Sequence, residues 1–318
     1  MMQKVSLLNQ IPLEQAGKRL DQALAELFPD YSRSRIQTWI KNQQVAVNGK
    51  YPKGKEKVQG GEQIVIDAEL EEEGSWQAEA IKLDVVYEDE DLLIINKPAN
   101  LVVHPAPGHY SGTLVNALLH YCPELNTVPR AGIVHRIDKD TTGLLLVAKN
   151  LIAHNYLVQQ LQEREIHREY QAIVYGHIIS GATIEQPMGR HPHHRVKMAV
   201  VDDGKPAVTH YRVIERFRQH THIAVQLETG RTHQIRVHMA HQGYPLVGDR
   251  TYGRLRLPKG GSQELVESIQ QFSRQALHAC KLTLCHPRTT KLIESHAALP
   301  TDMVRLLEIL KKDYDENA

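Results

Sequence analysis

The sequence predicts an α+β protein of two unequal domains, a small αα-then-β unit followed, after an acidic linker, by a large mixed domain. Three observations lead there. Apolar residues recur twice at helical spacing within residues 18–41 and then alternate through Val45, Val47, Val58, Ile64 and Ile66, as strands do. The stretch from Ala68 to Glu79, with Glu71-Glu72-Glu73-Gly74-Ser75 at its centre, is polar, acidic and aperiodic, the composition of a linker. From about Leu83 onward, strand-like and helical runs follow one another irregularly, which suggests an α+β domain. The expected boundaries are 1–67 for the small domain, with its core in 18–66, then 68–82 for the linker and 83–318 for the large domain.

In the small domain, Leu20, Ala23, Leu24 and Leu27 mark a first helix, which Pro29 and Asp30 interrupt. Ile36, Trp39 and Ile40 resume the pattern after Ser32 and Ser34. Arg33, Arg35 and Lys41 fall off that apolar stripe and so face solvent or a ligand. The dipeptide Asn48-Gly49 is a hairpin turn signal. In the large domain, Leu92 to Ile95, Leu144 to Val147 and Ala172 to Tyr175 read as strands, whereas Leu114 to Leu119 and Ile152 to Leu161 read as helices. A last helix follows Pro300, with Thr301 as N-cap, a stripe of Met303, Leu306, Leu307 and Leu310, and Lys311 and Lys312 at its C-terminal end. It is expected to pack on the sheet. No internal repeat or low-complexity segment interrupts this order.

With 318 residues and 41% hydrophobic side chains, the chain can bury a sizeable core. The first thirty residues lack a charged region followed by an apolar one, and no apolar run reaches membrane-spanning length. The expectation is a soluble cytoplasmic protein, monomeric by default. Cys122, Cys280 and Cys285 are too few and too scattered for a disulfide framework and are expected to be reduced. The net charge of +1 conceals segregation. From Lys18 to Val58 nine Lys or Arg face four Asp or Glu, whereas Asp67 to Asp91 holds eleven acids and one Lys. A basic patch of this kind is either a footprint for phosphate or an ordinary solvated surface.

Chemistry concentrates between Gly132 and Lys149, where His135-Arg136-Ile137-Asp138-Lys139-Asp140-Thr141-Thr142-Gly143 lies between two apolar runs. Alone, Asp, Thr and Gly read as turn formers. Tyr170, on one strand face with Ala172 and Val174, reads alone as a core tyrosine. Arg231 reads alone as a surface arginine, because Thr232 looks like the N-cap of a short helix through Ile235, His238 and Met239 that Gly243 closes. Nineteen histidines invite a metal hypothesis, above all His191-Pro192-His193-His194 and the group His278, Cys280, Cys285 and His286. A strand over 276–286 would turn Cys280 and Cys285 to opposite faces, and there is no His-Glu-x-x-His helix, so no metal is expected. The Arg190 to Lys197 run, with Arg195, reads instead as a basic loop facing a phosphate-bearing ligand or as a solvated turn.

Two resemblances weigh these alternatives. Arg19-Leu20-Asp21, Ser32-Arg33-Ser34 and Val45-Ala46-Val47-Asn48-Gly49 make residues 18–66 resemble the RNA-binding domain typified by ribosomal protein S-four, with Gln44 near a position that commonly holds glycine. RNA binding is implied, with Arg33, Arg35 and Lys41 as candidate contacts. The stretch around Asp138 resembles the signature of the RluA family of pseudouridine synthases, His-Arg-(Leu or Ile)-Asp-x-x-Thr-(Ser or Thr)-Gly. Further family-like blocks stand at Ile95 to Pro105, Arg168-Glu169-Tyr170, Gly230 to Arg236 and Gly248 to Gly253, with Asn100 where glycine is expected.

This resemblance implies a mixed, largely antiparallel sheet flanked by helices and loops. It also implies isomerisation of uridine to pseudouridine in ribosomal large-subunit RNA, with no cofactor. Asp138 would be the catalytic carboxylate, as nucleophile or as base, and Arg231 its cationic partner. Tyr170 would lie over the target base, its phenol available to relay a proton, and Ile235 would form apolar wall. Arg136 would fill the gap left by an extruded base, a phosphate contact being the alternative. The competing reading is a non-catalytic RNA-binding or ribosome-assembly factor that keeps the fold; intact Asp138, Tyr170 and Arg231 speak against it.

Overall fold

A computed structural model describes residues 3–29, 31, 33–70, 76–105, 110–194 and 196–317, and the chain divides into two compact units, Met1–Ser75 and Trp76–Ala318. The smaller unit runs β1 (Gln3–Gln10), α1 (Leu20–Leu27), α2 (Arg33–Lys41), β2 (Val45–Val47) and β3 (Gln63–Leu70). Strand β3 is central, antiparallel to β1 from Gln3↔Leu70 to Gln10↔Gln63 and to β2 from Val45↔Ile66 to Val47↔Ile64. The two helices lay Leu20, Leu24, Ile36 and Trp39 on Val45, Ile64 and Ile66, so the helical stripe and the strand alternation meet in one core. Asn48 and Gly49 carry φ of 50° and 75°, and Val47 and Lys50 exchange N–H···O bonds around them, as a two-residue hairpin turn requires. The positive φ near the expected glycine falls on Gln43, at 58°, not on Gln44.

Strand β1 lies before the core expected at 18–66. Strand β3 runs on to Leu70, and Trp76 and Leu83 pack against the larger unit's core. Both ends of the expected 68–82 linker therefore belong to folded units; Glu71 to Ser75, like Asp30, Ser32 and Arg195, lie outside the described residues.

The larger unit continues with β4 (Val85–Glu88), β5 (Leu92–Lys97), α3 (Leu114–Tyr121), β6 (Thr142–Ala148), α4 (Leu151–Gln162), β7 (His167–Tyr175) and β8 (Ala182–Glu185). Next come β9 (Met188–Arg190), β10 (Met198–Val200), β11 (Val208–Arg216), β12 (His220–Leu227), α5 (Gln234–His241), α6 (Gln263–Gln271), β13 (Leu277–Cys285), β14 (Leu292–His296) and α7 (Thr301–Glu316). Nine strands form one sheet in the order β4-β5-β6-β13-β7-β12-β11-β8, with β14 also on β13. Among the described strands only β6 and β13 pair in parallel, so the sheet is mixed and largely antiparallel. Strands β9 and β10 form a separate hairpin.

Alternation explains how both faces are covered. Leu93, Ile95, Leu145, Val147, Ala172 and Val174 join the cluster that includes α3 residues Leu114 and Leu118. Their neighbours Leu92, Ile94, Leu144 and Leu146 join Ala153 and Leu157 of α4. Ile173 and Tyr175 meet Leu265 and Ile269 of α6 and Met303, Leu306 and Leu310 of α7, so the last helix does pack on the sheet. Pro300, not Thr301, holds its N-cap position, and no side chain caps it. The helix also continues to Glu316, which leaves Lys311 and Lys312 inside it, with Lys312 paired to Glu264. No helix among the described residues is long and apolar enough to cross a membrane.

Candidate active site

The segment from His135 to Thr141 is an irregular loop leading into β6, and four groups fasten it. Lys97 is 1% exposed and donates from Nζ to the carbonyls of Pro98, Leu101 and Lys139, tying the turn after β5 to the loop. Arg274 Nη1 donates to the Asp140 carbonyl, while the same guanidinium grips Asp302 at the start of α7. Gln275 Nε2 donates to Thr141 Oγ1. His135 Nε2 accepts the Leu146 N–H, and desolvation, with the Arg168 charge second, pushes the ring's pKa down to about 3, so it stays neutral. Where the loop joins β6, Gly143 has φ of 110° and a Cβ there would lie 2.2 Å from the Ala279 carbonyl oxygen. Only glycine permits this close crossing of β6 and β13. Asn100 does adopt a positive φ, 64°, a conformation asparagine tolerates better than most residues.

Asp138 projects from this loop with its side chain 16% exposed, and its Oδ2 accepts from Arg236 Nη1 at 2.9 Å. Arg236 is itself fixed by Asp249, whose two oxygens accept from Nε and Nη2 at 2.7 and 2.9 Å. Asp249 Oδ1 also accepts the Thr251 and Tyr252 N–H groups. Burial works against the Arg236 charge, but the bonds and charge of Asp249, then of Asp138, outweigh it and raise its pKa. Burial likewise opposes ionisation of Asp249, yet Arg236 and the backbone donors hold its carboxyl below the usual range. One guanidinium thus serves two carboxylates through its planar fork.

Arg231, the partner expected for Asp138 from the sequence, does not pair with it. Arg231 is exposed, and its Nε donates to the Pro206 carbonyl at 3.1 Å; the pairing guanidinium is Arg236. The cause is local. Thr232 does not cap α5; the N-cap is His233, in the left-handed region at φ 58°, without a side-chain bond. Gln234 instead reaches back to accept from the Arg231 N–H and Thr229 Oγ1, closing a turn that leaves Arg231 outside the helix. Helix α5 is buried on every side from Gln234 to Met239, so an arginine inside it must have acidic partners. Gly243, at φ 85°, does close it, donating to the Ala240 carbonyl.

Asp138, Arg236, Arg231, Tyr170, Ile235 and Arg136 all line one cleft of about 900 Å³. Tyr170 is 5% exposed and shares a cluster with Ala172 and Val174; burial raises its phenol pKa, with the Arg168 charge opposing and Asp138 adding to the rise. Ile235 is buried in the same cluster, and Arg136 is exposed at the surface. Six arginines line the cleft, residues 130, 136, 164, 168, 231 and 236, against Asp138 and Glu228. The Nε of Arg168 is buried without a hydrogen-bond partner among the described residues.

In the smaller unit, Arg33 is not a free cation. Its Nη2 donates to Asp21, a fully buried carboxylate that also accepts from Arg19 and Gln37. Burial alone would raise the Asp21 pKa, but these donors hold it far below the usual carboxylate range. Arg35 is half-buried and Lys41 exposed on the same helix.

The histidines at 191, 193 and 194 stay together, with the His193 and His194 N–H groups donating to His191 Nδ1, whereas the second group is dispersed among other partners. His278 bonds Thr142 and the Ala297 carbonyl, Cys280 bonds the Glu169 carbonyl, and His286 bonds Asp89. Asp89, Asp91 and His286 could approach one ion, but Arg288 already holds Asp91 by two bonds at 2.7 and 2.8 Å. Residues that sequence reasoning missed are Arg236, Asp249, His233 and Tyr252. All lie inside family-like blocks already recognised, which were the available signal.

Comparison with known proteins agrees with this geometry. The family model described as RNA pseudouridylate synthase matches residues 91–241, and the S4 domain model matches residues 18–64. The chain is 57% identical to ribosomal large subunit pseudouridine synthase D of Escherichia coli (strain K12), covering 100% of this chain and 98% of that one. It is 56% identical to the Pasteurella multocida protein of the same name, covering 98% and 97%. Among solved structures, human RNA pseudouridylate synthase domain containing 4 shares the fold at TM-score 0.57 and 24% identity, over 72% of this chain and 93% of that one. Human RNA pseudouridylate synthase domain containing 1 aligns at TM-score 0.53 and 26% identity, over 74% and 96%. With full-length identity of this order, the chain belongs to the family of RNA pseudouridine synthases that carry an S4 domain ahead of the synthase domain.

Proposed function

We propose that this protein converts uridine to pseudouridine in ribosomal large-subunit RNA, with Asp138 as the catalytic carboxylate and Arg236 as the group that orients it. The observation that carries the reading is a partly exposed aspartate, bonded on one oxygen only by the described residues, at the wall of an arginine-rich cleft. The names of the full-length relatives supply the substrate.

The reaction breaks the bond between ribose and base nitrogen, turns the base and rejoins it through carbon five, so the detached uracil must be held throughout. A uridine in folded RNA must first leave its stack, at a cost of a few kcal/mol. Exposed Arg136, two residues from Asp138, is suited to fill the gap with its flat guanidinium. Tyr170 gives the base an aromatic face, an interaction of about 1–3 kcal/mol, and Ile235 gives it an apolar neighbour. Asp138 must be held in one orientation toward the ribose, and the guanidinium at 2.9 Å does this through its planar fork. Arg168 and Arg231 give the cleft further guanidinium groups for phosphates, whereas Arg164 is paired with Glu228, and the S4-like unit adds a second RNA contact through α2, with Arg33, Arg35 and Lys41 as candidates.

The test is to treat large-subunit RNA with purified wild-type or Asp138→Ala protein and map pseudouridine chemically. Modification by the wild type alone, with RNA affinity kept in the variant, supports the reading. A protein that binds RNA but modifies none, in either form, would be a binding or assembly factor instead.

A further inference from the structure

We propose that His233 is a positioning residue for Asp138, a neutral imidazole whose Nε2–H tautomer is set by Tyr252 and which faces the carboxylate oxygen that Arg236 leaves open, to donate to it once substrate fills the cleft. The inference rests on the reading of Asp138 as the catalytic carboxylate. Arg236 takes Oδ2, and no hydrogen bond reaches Oδ1 from the described residues; His233 Nε2 lies 3.7 Å from it. On the other side of the ring, Nδ1 is 2.6 Å from Tyr252 Oη, which also accepts the Met198 N–H at 2.9 Å. That second bond, with the short length of the first, favours one direction for the first. With Met198 donating to the phenol oxygen, the phenol's single hydrogen is available for Nδ1, and 2.6 Å suits an O–H donor better than an N–H donor. Nδ1 is then the acceptor, and a neutral ring carries its hydrogen on Nε2, facing Asp138.

Neutrality is consistent with the surroundings. The charged and titratable groups facing the ring are Asp138 and Arg136 from the loop before β6, Arg236 from α5, and Asp249 and Tyr252 from the segment after α5. Burial, helped by Arg236 and Arg136 and opposed by Asp138 and Asp249, lowers the histidine pKa. The backbone gives a further sign. His233 holds φ of 58°, a conformation that residues with a β-carbon rarely adopt, at the turn that aims its ring. The 3.7 Å gap exceeds a hydrogen bond, and contacts of this kind shorten when substrate fills a site. Because Met198 opens β10, the hairpin of β9 and β10 takes part in setting the tautomer.

The experiment pairs a spectroscopic and a kinetic readout on the full-length protein. In ¹⁵N-histidine NMR, with the His233 signals assigned by their loss in His233→Gln, the wild type should show protonated Nε2 and unprotonated Nδ1. Tyr252→Phe should shift that balance toward protonated Nδ1. Under single turnover on large-subunit RNA, His233→Leu should lose about tenfold to a hundredfold in rate at saturating enzyme, the worth of one bond to a charged group. Its RNA affinity should stay within about twofold, and His233→Gln, which can present an N–H, should recover part of the rate. A wild-type ring protonated on Nδ1, or a His233→Leu protein of unchanged rate, overturns the proposal. Full activity in Asp138→Asn would instead remove the reading on which it rests, while leaving the tautomer result intact.

Discussion

Replacing Arg236 separates its two jobs. Its forked bond to Asp249 closes a carboxylate whose side chain is only 1% exposed, and truncation alone would leave that charge buried without its counter-ion. Breaking a buried pair in this way costs about 3–5 kcal/mol of stability, enough to obscure any effect on catalysis. The informative variant is therefore Arg236→Gln combined with Asp249→Asn, which removes the stranded charge as well. What the double variant still lacks is one charge-assisted bond, from Nη1 to Asp138 Oδ2 at 2.9 Å. A bond of that class is worth about 1.5–3 kcal/mol net, so the rate constant should fall about 10- to 150-fold. Urea titration should find Arg236→Gln markedly less stable than the double variant. Single-turnover pseudouridine formation should then find the double variant folded but slow. Arg231→Ala is the control: its guanidinium touches the Pro206 carbonyl, so its rate should stay near wild type while RNA affinity weakens. A double variant with wild-type rate, or an Arg231→Ala protein just as slow, would refute the assignment.

Gly230 does not need glycine for its backbone, but a Cβ there would lie 2.9 Å from Arg168 Nη1. Gly230→Ala should therefore displace that guanidinium, weaken RNA binding and reduce its salt slope by about one, as read from affinities across a salt series. Arg136→Ala should slow modification of structured RNA more than that of an unstructured oligonucleotide; equal losses would remove its gap-filling role. Buried His220 and His222 have pKa values pushed down to about 4 by desolvation, so the unfolded chain takes up protons near 6.5 that the folded one refuses. Their contribution is complete above that value and is lost as pH falls from about 6.5 to 4, by up to about 3 kcal/mol for each. His220→Leu should flatten this part of an acid denaturation series; an unchanged slope would contradict the assignment.

Legibility in the sequence followed local apolar pattern. Leu92 to Ile95, Leu144 to Val147 and Ala172 to Tyr175 were readable as strands because both sheet faces are covered, which makes the runs apolar throughout. Strand β1 was not, since of its residues only Val5 is buried among those with a described side chain, while Leu8 is 68% exposed. The insertion of β13 between β6 and β7 is set by long-range pairing such as Gly143 against Ala279, which no local pattern announces. At the site, family-like blocks located Asp138, Tyr170 and Ile235. They did not distinguish Arg231 from Arg236, because the choice hangs on one left-handed residue, His233, whose conformation bulky side chains seldom signal. Helical spacing could not help either, α5 being buried all round.

The most direct test is a site-resolved pseudouridine map of ribosomal RNA from cells lacking this protein, complemented with wild-type or Asp138→Asn chain. Particular large-subunit uridines should lose modification in the deletion, regain it with the wild type and stay unmodified with Asp138→Asn. Maps identical in all three, or full restoration by Asp138→Asn, would contradict the proposed function.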